Sequence, residues 1–269
     1  MHSRSASVIV ALIALSLSAV ACRAATPTRA PTLPPTAVPT PSPTRGPTST
    51  PLPPSLNFVE PATGATLISP AIVRGDGTIP PGERTVTVQV LDGQGTVLGE
   101  GVIRFAELGA AGEIGAFYGL VRYNAPDKAQ PGRLAIVSRG KDAPVLASDQ
   151  VSVTLRGAKD TPLAGVKIVE PQPAGVITSP LTIRGEGIVP AERRLNARVV
   201  DSLGNLLGAG TLQFASQATV GKTAPFSGTL EFSPPSFAQA GYVLVEQPGP
   251  EKGQILARDA VEVQLPAPQ

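Results

Sequence analysis

The chain has no tryptophan, and a single cysteine, a single histidine and a single methionine among 269 residues. The histidine is His2 and the cysteine is Cys22, so the long remainder contains neither imidazole nor thiol. Without imidazole, the familiar Ser–His and His-ligated zinc chemistries have no starting material. A disulfide framework needs several cysteines in the mature region, so burial of apolar surface must hold this fold together. Acidic residues are missing from Met1 to Leu56, where Arg4, Arg23, Arg29 and Arg45 are the only charges. Setting those four arginines aside leaves 18 basic against 20 acidic side chains, so the part expected to fold is close to neutral. The overall basic balance comes from the N-terminal segment and gives no support to a nucleic-acid surface.

The N-terminal segment reads as an export signal. Arg4 supplies the positive start, Val8 to Leu15 the apolar core, and Ala19-Val20-Ala21 the small residues that close it. From Ala6 to Ala21 the run is 16 residues, short of the roughly 20 a spanning helix requires. Ala19-Val20-Ala21-Cys22 resembles the lipobox of bacterial lipoproteins, in which cleavage after Ala21 exposes Cys22 for lipid attachment. Ala19 departs from that pattern, which has a branched aliphatic three places before the cysteine. An ordinary cleaved signal with an incidental Cys22 and an uncleaved anchor are the alternatives. All three place the folded part outside the cytoplasm.

From Ala25 to Pro54 the chain is almost entirely Thr, Pro, Ala and Ser. Such a stretch has too few apolar side chains to offset the entropy lost on ordering, and no fold is expected of it. Dense proline favours extended polyproline II at about 3.1 Å per residue, a reach on the order of 100 Å. A spacer that holds the folded part clear of the membrane fits this composition, and its threonines offer sites for O-glycans.

The rest of the sequence repeats. Val59-Glu60-Pro61 recurs as Val169-Glu170-Pro171, Ser69-Pro70 as Ser179-Pro180 and Arg74-Gly75 as Arg184-Gly185, each 110 residues on. After a one-residue slip Asp92 matches Asp201, Gly95 matches Gly204, Phe105-Ala106 matches Phe214-Ala215, and Phe117 matches Phe226. Leu146-Ala147 and Asp149 match Leu256-Ala257 and Asp259 at the original spacing. A period this long predicts two self-standing domains rather than a solenoid.

Inside each repeat the signals are those of strands. Val86, Val88 and Val90 alternate with Thr85, Thr87 and Gln89, which predicts a strand with one apolar face. Asp92-Gly93-Gln94-Gly95 then turns the chain, and Thr96-Val97-Leu98 starts back as the second arm of a hairpin. Leu134 with Ile136, and Val151 with Val153 and Leu155, continue the alternation, and Pro80-Pro81-Gly82 and Pro131-Gly132 punctuate it. About seven short strands in roughly 100 residues predict an immunoglobulin-like β-sandwich. Phe105, Phe117, Tyr123, Phe214, Phe226 and Phe232 are expected in the cores, and Tyr118, alternating with Phe117, is expected to be exposed.

In this order, Val-Glu-Pro, Ser-Pro, Arg-Gly, a strand ending in Asp, a Gly turn and then Phe resemble the immunoglobulin-like domain of bacterial spore germination. The resemblance covers 57–156 and 167–265. It implies the all-β fold and an extracytoplasmic role, and it carries no catalytic residues.

Other chemistry is thinly supplied. Gly221-Lys222-Thr223 ends like a phosphate-binding loop, but Ser216 stands where the motif's first glycine belongs. Asp92 and Asp201 bring one carboxylate each to their turns, far short of a calcium site, and are expected to bind their own turn backbone. Glu60 and Glu170 are a carboxylate pair in number only, since they occupy equivalent places in separate repeats.

The expected organisation is a signal peptide over 1–21, a Pro/Thr tether over 22–56, one domain over 57–156, a linker over 157–166 and a second domain over 167–265. The expected function is a non-enzymatic surface lipoprotein for adhesion, scaffolding or protein interaction, with no cofactor, no metal, no nucleic acid and no catalytic residue. Its expected partners are the membrane, through lipid on Cys22, and an envelope protein or wall polymer. Recognition of an envelope glycan is the alternative, and an enzyme with an unrecognised site is the third reading.

Overall fold

The computed structural model describes residues 53–78, 84–107, 114–139, 144–160 and 164–268. The expected signal with its cleavage point between Ala21 and Cys22, the lipid attachment at Cys22, and most of the tether lie outside these residues, as do Pro80-Pro81-Gly82 and Pro162 of the linker. All that is described belongs to one unit, Ser49–Gln269.

The described elements are strands. The first half contains β1 (Ser55–Glu60), β2 (Thr66–Leu67), β3 (Ala71–Thr78), β4 (Thr85–Asp92), β5 (Val97–Glu107), β6 (Ile114–Val121), β7 (Gln130–Arg139) and β8 (Val145–Leu155). The second contains β9 (Val166–Glu170), β10 (Leu181–Ile188), β11 (Arg194–Asp201), β12 (Leu206–Phe214), β13 (Thr223–Leu230), β14 (Gln239–Pro248) and β15 (Ile255–Leu265). β1 to β8 hydrogen-bond among themselves in the order β1-β3-β6-β5-β4-β7-β8-β2, and β9 to β15 in the order β15-β14-β11-β12-β13-β10-β9. Each half folds over itself because one long strand changes partner. β5 pairs with β4 as far as Arg104 and then with β6 from Phe105, while β12 moves from β11 to β13 at Gln213 and Phe214.

Alternation fills the space between the layers. Val86, Val88 and Val90 are buried, and Thr85, Thr87 and Gln89 on the opposite face are half-buried. Phe105 meets Phe117 edge-on at 5.4 Å, and Phe214 meets Phe226 at 5.7 Å, an arrangement aromatic quadrupoles favour. Each half has its own apolar core, one around Phe117 and Leu134 and one around Phe226 and Val243.

The motifs shared by the halves have local physical reasons. A Cβ at Gly75 would lie 2.3 Å from the Asn57 carbonyl and 2.3 Å from the Phe117 ring; at Gly185 it would lie 2.3 Å from the Lys167 carbonyl and 2.3 Å from the Phe226 ring. Only glycine fits where a strand backbone passes that close to an aromatic ring. Ser69 Oγ accepts the Tyr123 N–H and Ser179 Oγ the Phe232 N–H, both at 3.0 Å. Asp149 Oδ2 accepts the Phe58 N–H at 3.0 Å, and Asp259 Oδ2 the Ile168 N–H at 2.8 Å, clasping each half's first strand to its last. In the hairpin turns, Asp92 Oδ1 accepts from the amides of Gln94 and Thr96, and Asp201 Oδ1 from those of Leu203 and Asn205. The Thr96 amide, then that of Gln94, holds the Asp92 carboxyl below its ordinary range despite its partial desolvation. The peptides before Pro61, Pro70, Pro171 and Pro180 are all cis.

Candidate functional site

The residues that distinguish the halves from each other meet at a junction. Among the side chains of β3 and β6 that point away from the first core are Ile72, Tyr118 and Leu120. In β11, β14 and β15 the apolar side chains pointing away from the second core include Val200, Tyr242, Leu244 and Ala260. These two outward faces pack together as a third apolar cluster. Tyr118 and Tyr242 meet edge-on, with centroids 5.5 Å apart and planes at 60°. Tyr118 is only 7% exposed, which corrects the expectation that it faces solvent. It does leave the first core, as alternation requires, but the second half covers it.

Arginines frame this cluster. Arg122 Nη2 donates to Asp259 Oδ1 at 2.7 Å and to the Ala260 carbonyl at 2.8 Å. Arg156 Nη1 donates to the carbonyls of Ile255 and Leu256 at 2.6 and 3.2 Å. Arg258 faces both ways, with Nη1 on the Pro70 carbonyl at 3.2 Å and Nε on Glu246 Oε1 at 2.7 Å. Glu246, only 4% exposed, also accepts from Arg198 Nη2 through both oxygens at 2.9 Å. A carboxylate taken this far from water is tolerated because two guanidinium groups surround it. Burial pushes the Tyr118 hydroxyl up to about 12, although the positive charges of Arg198 and Arg258 pull against it. Burial also raises the Tyr242 hydroxyl, and the negative charge of Glu262 adds to the shift.

The linker is tied at both ends. Gly157 N–H donates to Asp160 Oδ2 at 2.8 Å, Ala158 N–H to the Pro126 carbonyl at 2.6 Å, and Lys159 pairs with Asp127 at 2.5 Å. At its far end the Gly165 N–H donates to Gln247 Oε1 at 3.3 Å. Side-chain bonds, apolar contact and a pinned connection together make the halves a braced pair.

Among the described residues several hollows are lined by both halves, and two of them border the apolar cluster. One, of 610 Å³, lies between Glu60, Thr66 and Ile72 of the first half and Lys252, Gln254 and Arg258 of the second. The other, of 350 Å³, brings Val102 and Tyr118 against Phe237 and Tyr242. Neither assembles a nucleophile with a base. The arginines of the larger hollow already serve protein carbonyls and Glu246, so what it offers a ligand is shape and mixed charge.

Other residues singled out in the sequence stay apart. Glu60 borders the larger hollow, whereas Glu170 pairs with Arg184 at 3.2 Å. Gly221 and Lys222 lie in the connection from β12 to β13, where Gly221 N–H donates to the Val189 carbonyl at 2.9 Å; the next element is a strand, not the helix a phosphate loop needs. Among the described residues no three His, Cys, Asp or Glu side chains gather as metal ligands, and no helix is long and apolar enough to cross a membrane. Sequence reasoning missed the junction. Its signals are the runs Phe117-Tyr118-Gly119-Leu120-Val121 and Tyr242-Val243-Leu244-Val245, each apolar on both faces of a strand.

Among solved structures, the chain is similar to the BSP domain of a biofilm associated protein, with TM-score 0.27 and 14% identity over 79% of this chain and 29% of that one. It is similar to the fibronectin(III)-like modules of Clostridium thermocellum CbhA, with TM-score 0.23 and 12% identity over 79% of this chain and 94% of that one. A third similarity is to dimeric latent PorU from Porphyromonas gingivalis, with TM-score 0.27 and 10% identity over 80% and 24%. The chain thus spans less than a third of the biofilm protein and of PorU. No curated protein matches its sequence. The model of the immunoglobulin-like domain of bacterial spore germination matches residues 165–254, which lie within the second half.

Proposed function

We propose that the chain is a non-enzymatic, extracytoplasmic surface lipoprotein in which two copies of one immunoglobulin-like domain act as an adhesion, scaffolding or protein-interaction module. The braced junction carries this reading. One ion pair, arginine–carbonyl hydrogen bonds, a buried aromatic contact and a tied linker hold two sandwiches in one arrangement, and a fixed arrangement is what a presentation surface needs. Preorganised surfaces bind without the entropy loss of ordering two swinging domains. The matched contacts of Gly75 and Gly185, and of Asp149 and Asp259, support descent of both halves from one unit. Lipid on Cys22 would supply the membrane end, and residues 22–56 the spacer.

Two measurements test this. Metabolic labelling with a fatty-acid probe is expected to mark the native protein and to leave Cys22→Ala unmarked; equal labelling of both would remove the anchor. Crosslinking on intact cells is expected to join the sandwiches to an envelope protein, while retention on purified peptidoglycan well above that of an unrelated sandwich domain would move the reading to glycan recognition.

A further inference from the structure

We infer that the junction is directional and used once per chain: the β3–β6 face of the first sandwich fits the β11–β14–β15 face of the second, and a second copy of the chain cannot extend the contact head to tail. Strand register makes the comparison direct, because Tyr118 lies opposite Arg74 on β3 just as Ser227 lies opposite Arg184 on β10. Following that register, Tyr118 corresponds to Ser227, Leu120 to Thr229, Ile72 to Thr182 and Arg122 to Glu231. All four positions on the second sandwich are exposed and polar.

The receiving side diverges at two of its four apolar positions. The pair Leu244–Ala260 corresponds in register to Ala135–Gln150, and Val200–Tyr242 to Leu91–Arg133. Buried Glu246 has Val137 as its counterpart, and Arg258 has Ser148. The first sandwich therefore presents Arg133 and Gln150 where an apolar partner is required.

Charge adds to the difference. Within the chain Arg122 reaches Asp259 at 2.7 Å. In a head-to-tail extension Glu231 would take the place of Arg122 and meet Asp149 of a second copy. A favourable pair would become a repulsion of like charges, beside hydroxyls that have lost their apolar partners. Repulsive elements of this kind fix partner choice more sharply than attraction alone. Head-to-tail contacts that do not close generate open filaments, so a duplicated surface domain gains from such a block.

Sedimentation velocity of the chain from Arg23 to Gln269 tests this, with a composite variant carrying Ser227→Tyr, Thr229→Leu, Glu231→Arg, Arg133→Tyr, Ala135→Leu and Gln150→Ala. The native chain is expected to stay monomeric at every soluble concentration. The composite is expected to self-associate at least about tenfold more tightly. Concentration-dependent association of the native chain that protects Ser227 and Glu231 from exchange or labelling would overturn the inference, as would a natively folded composite that stays monomeric. Arg122→Glu provides a test independent of the composite's folding, because it sets a carboxylate against Asp259 inside the native chain. Tryptic cleavage at Lys159 in the linker is expected to speed up about tenfold relative to cleavage at Lys222. An unchanged ratio would remove the charge argument.

Discussion

Gly204 and Tyr118 belong to different sandwiches, yet a Cβ on Gly204 would stand 2.4 Å from Tyr118 Cδ2. The glycine also has φ +79°, in the left-handed region that L side chains avoid. Gly95, at the matching turn of the first sandwich, has φ +88° and only the end of Arg133 within contact, at 3.6 Å. Both Gly→Ala changes are expected to lose about 1 kcal/mol from backbone strain. Only Gly204→Ala is expected to loosen the junction as well. Thermal melts of both variants, read with hydrogen exchange along β6 and β14, check this: exchange rises at the junction in one and not in the other.

The arginine frame divides by burial. Arg122 has 64% of its side chain exposed, so Arg122→Ala should cost about 0.2–1 kcal/mol and less at high salt. Glu246 is buried between Arg198 and Arg258, and Glu246→Ala strands two guanidinium groups, at a cost of about 3–5 kcal/mol. Urea denaturation of both variants gives the comparison. Equal effects would contradict the assignment of Glu246 as the anchor of the frame.

All three tyrosines are pushed up from the ordinary value near 10, chiefly by burial, with Tyr118 and Tyr123 reaching about 12. Tyr123 also donates its hydroxyl to the Leu67 carbonyl at 3.0 Å. Between pH 10 and 12 the unfolded chain releases phenolic protons that the folded chain keeps. Unfolding therefore becomes easier as pH rises through that window, by about 1–3 kcal/mol for each tyrosine. Below pH 10 both states hold the proton and this dependence vanishes. Absorbance titration at the phenolate band, followed in parallel with circular dichroism, should show ionisation delayed past 10 and coinciding with loss of sheet signal.

Separate cores predict separable stability. Phe226 is 2% exposed, and Phe226→Ala should cost the second sandwich about 3–5 kcal/mol. Calorimetry is expected to resolve two transitions in this variant, with exchange protection at Val88 and Leu134 retained to higher temperature than at Val199 and Val243. A single transition for both halves would show that the junction, small as it is, makes them one cooperative unit.

Much of the fold could be read from alternation alone. Val86, Val88 and Val90 point inward as their period predicts, and the Asp92 turn forms with the side-chain bonds its sequence suggests. The six aromatics expected in the cores are buried. What alternation cannot tell is whether an outward face meets water. Tyr118 illustrates the limit: its direction was legible, but its environment depends on Val200, Leu244 and Ala260, roughly a hundred residues away. Glu246 and Arg258 were equally hidden, because a charged residue on an outward position reads as solvated until its neighbours are placed. The β5 and β12 changes of partner were also invisible, since a long strand carries the same pattern on either sheet.

Because successive side chains in a strand face opposite ways, each half has two nearly independent sets of positions. One set, including Phe117 and Phe226, determines whether the sandwich forms at all. The other, including Tyr118 and Ser227, determines only what touches its outside. Point changes can therefore rewrite the second set without disturbing the first, and the two halves differ in the second set while sharing aromatic anchors of the first.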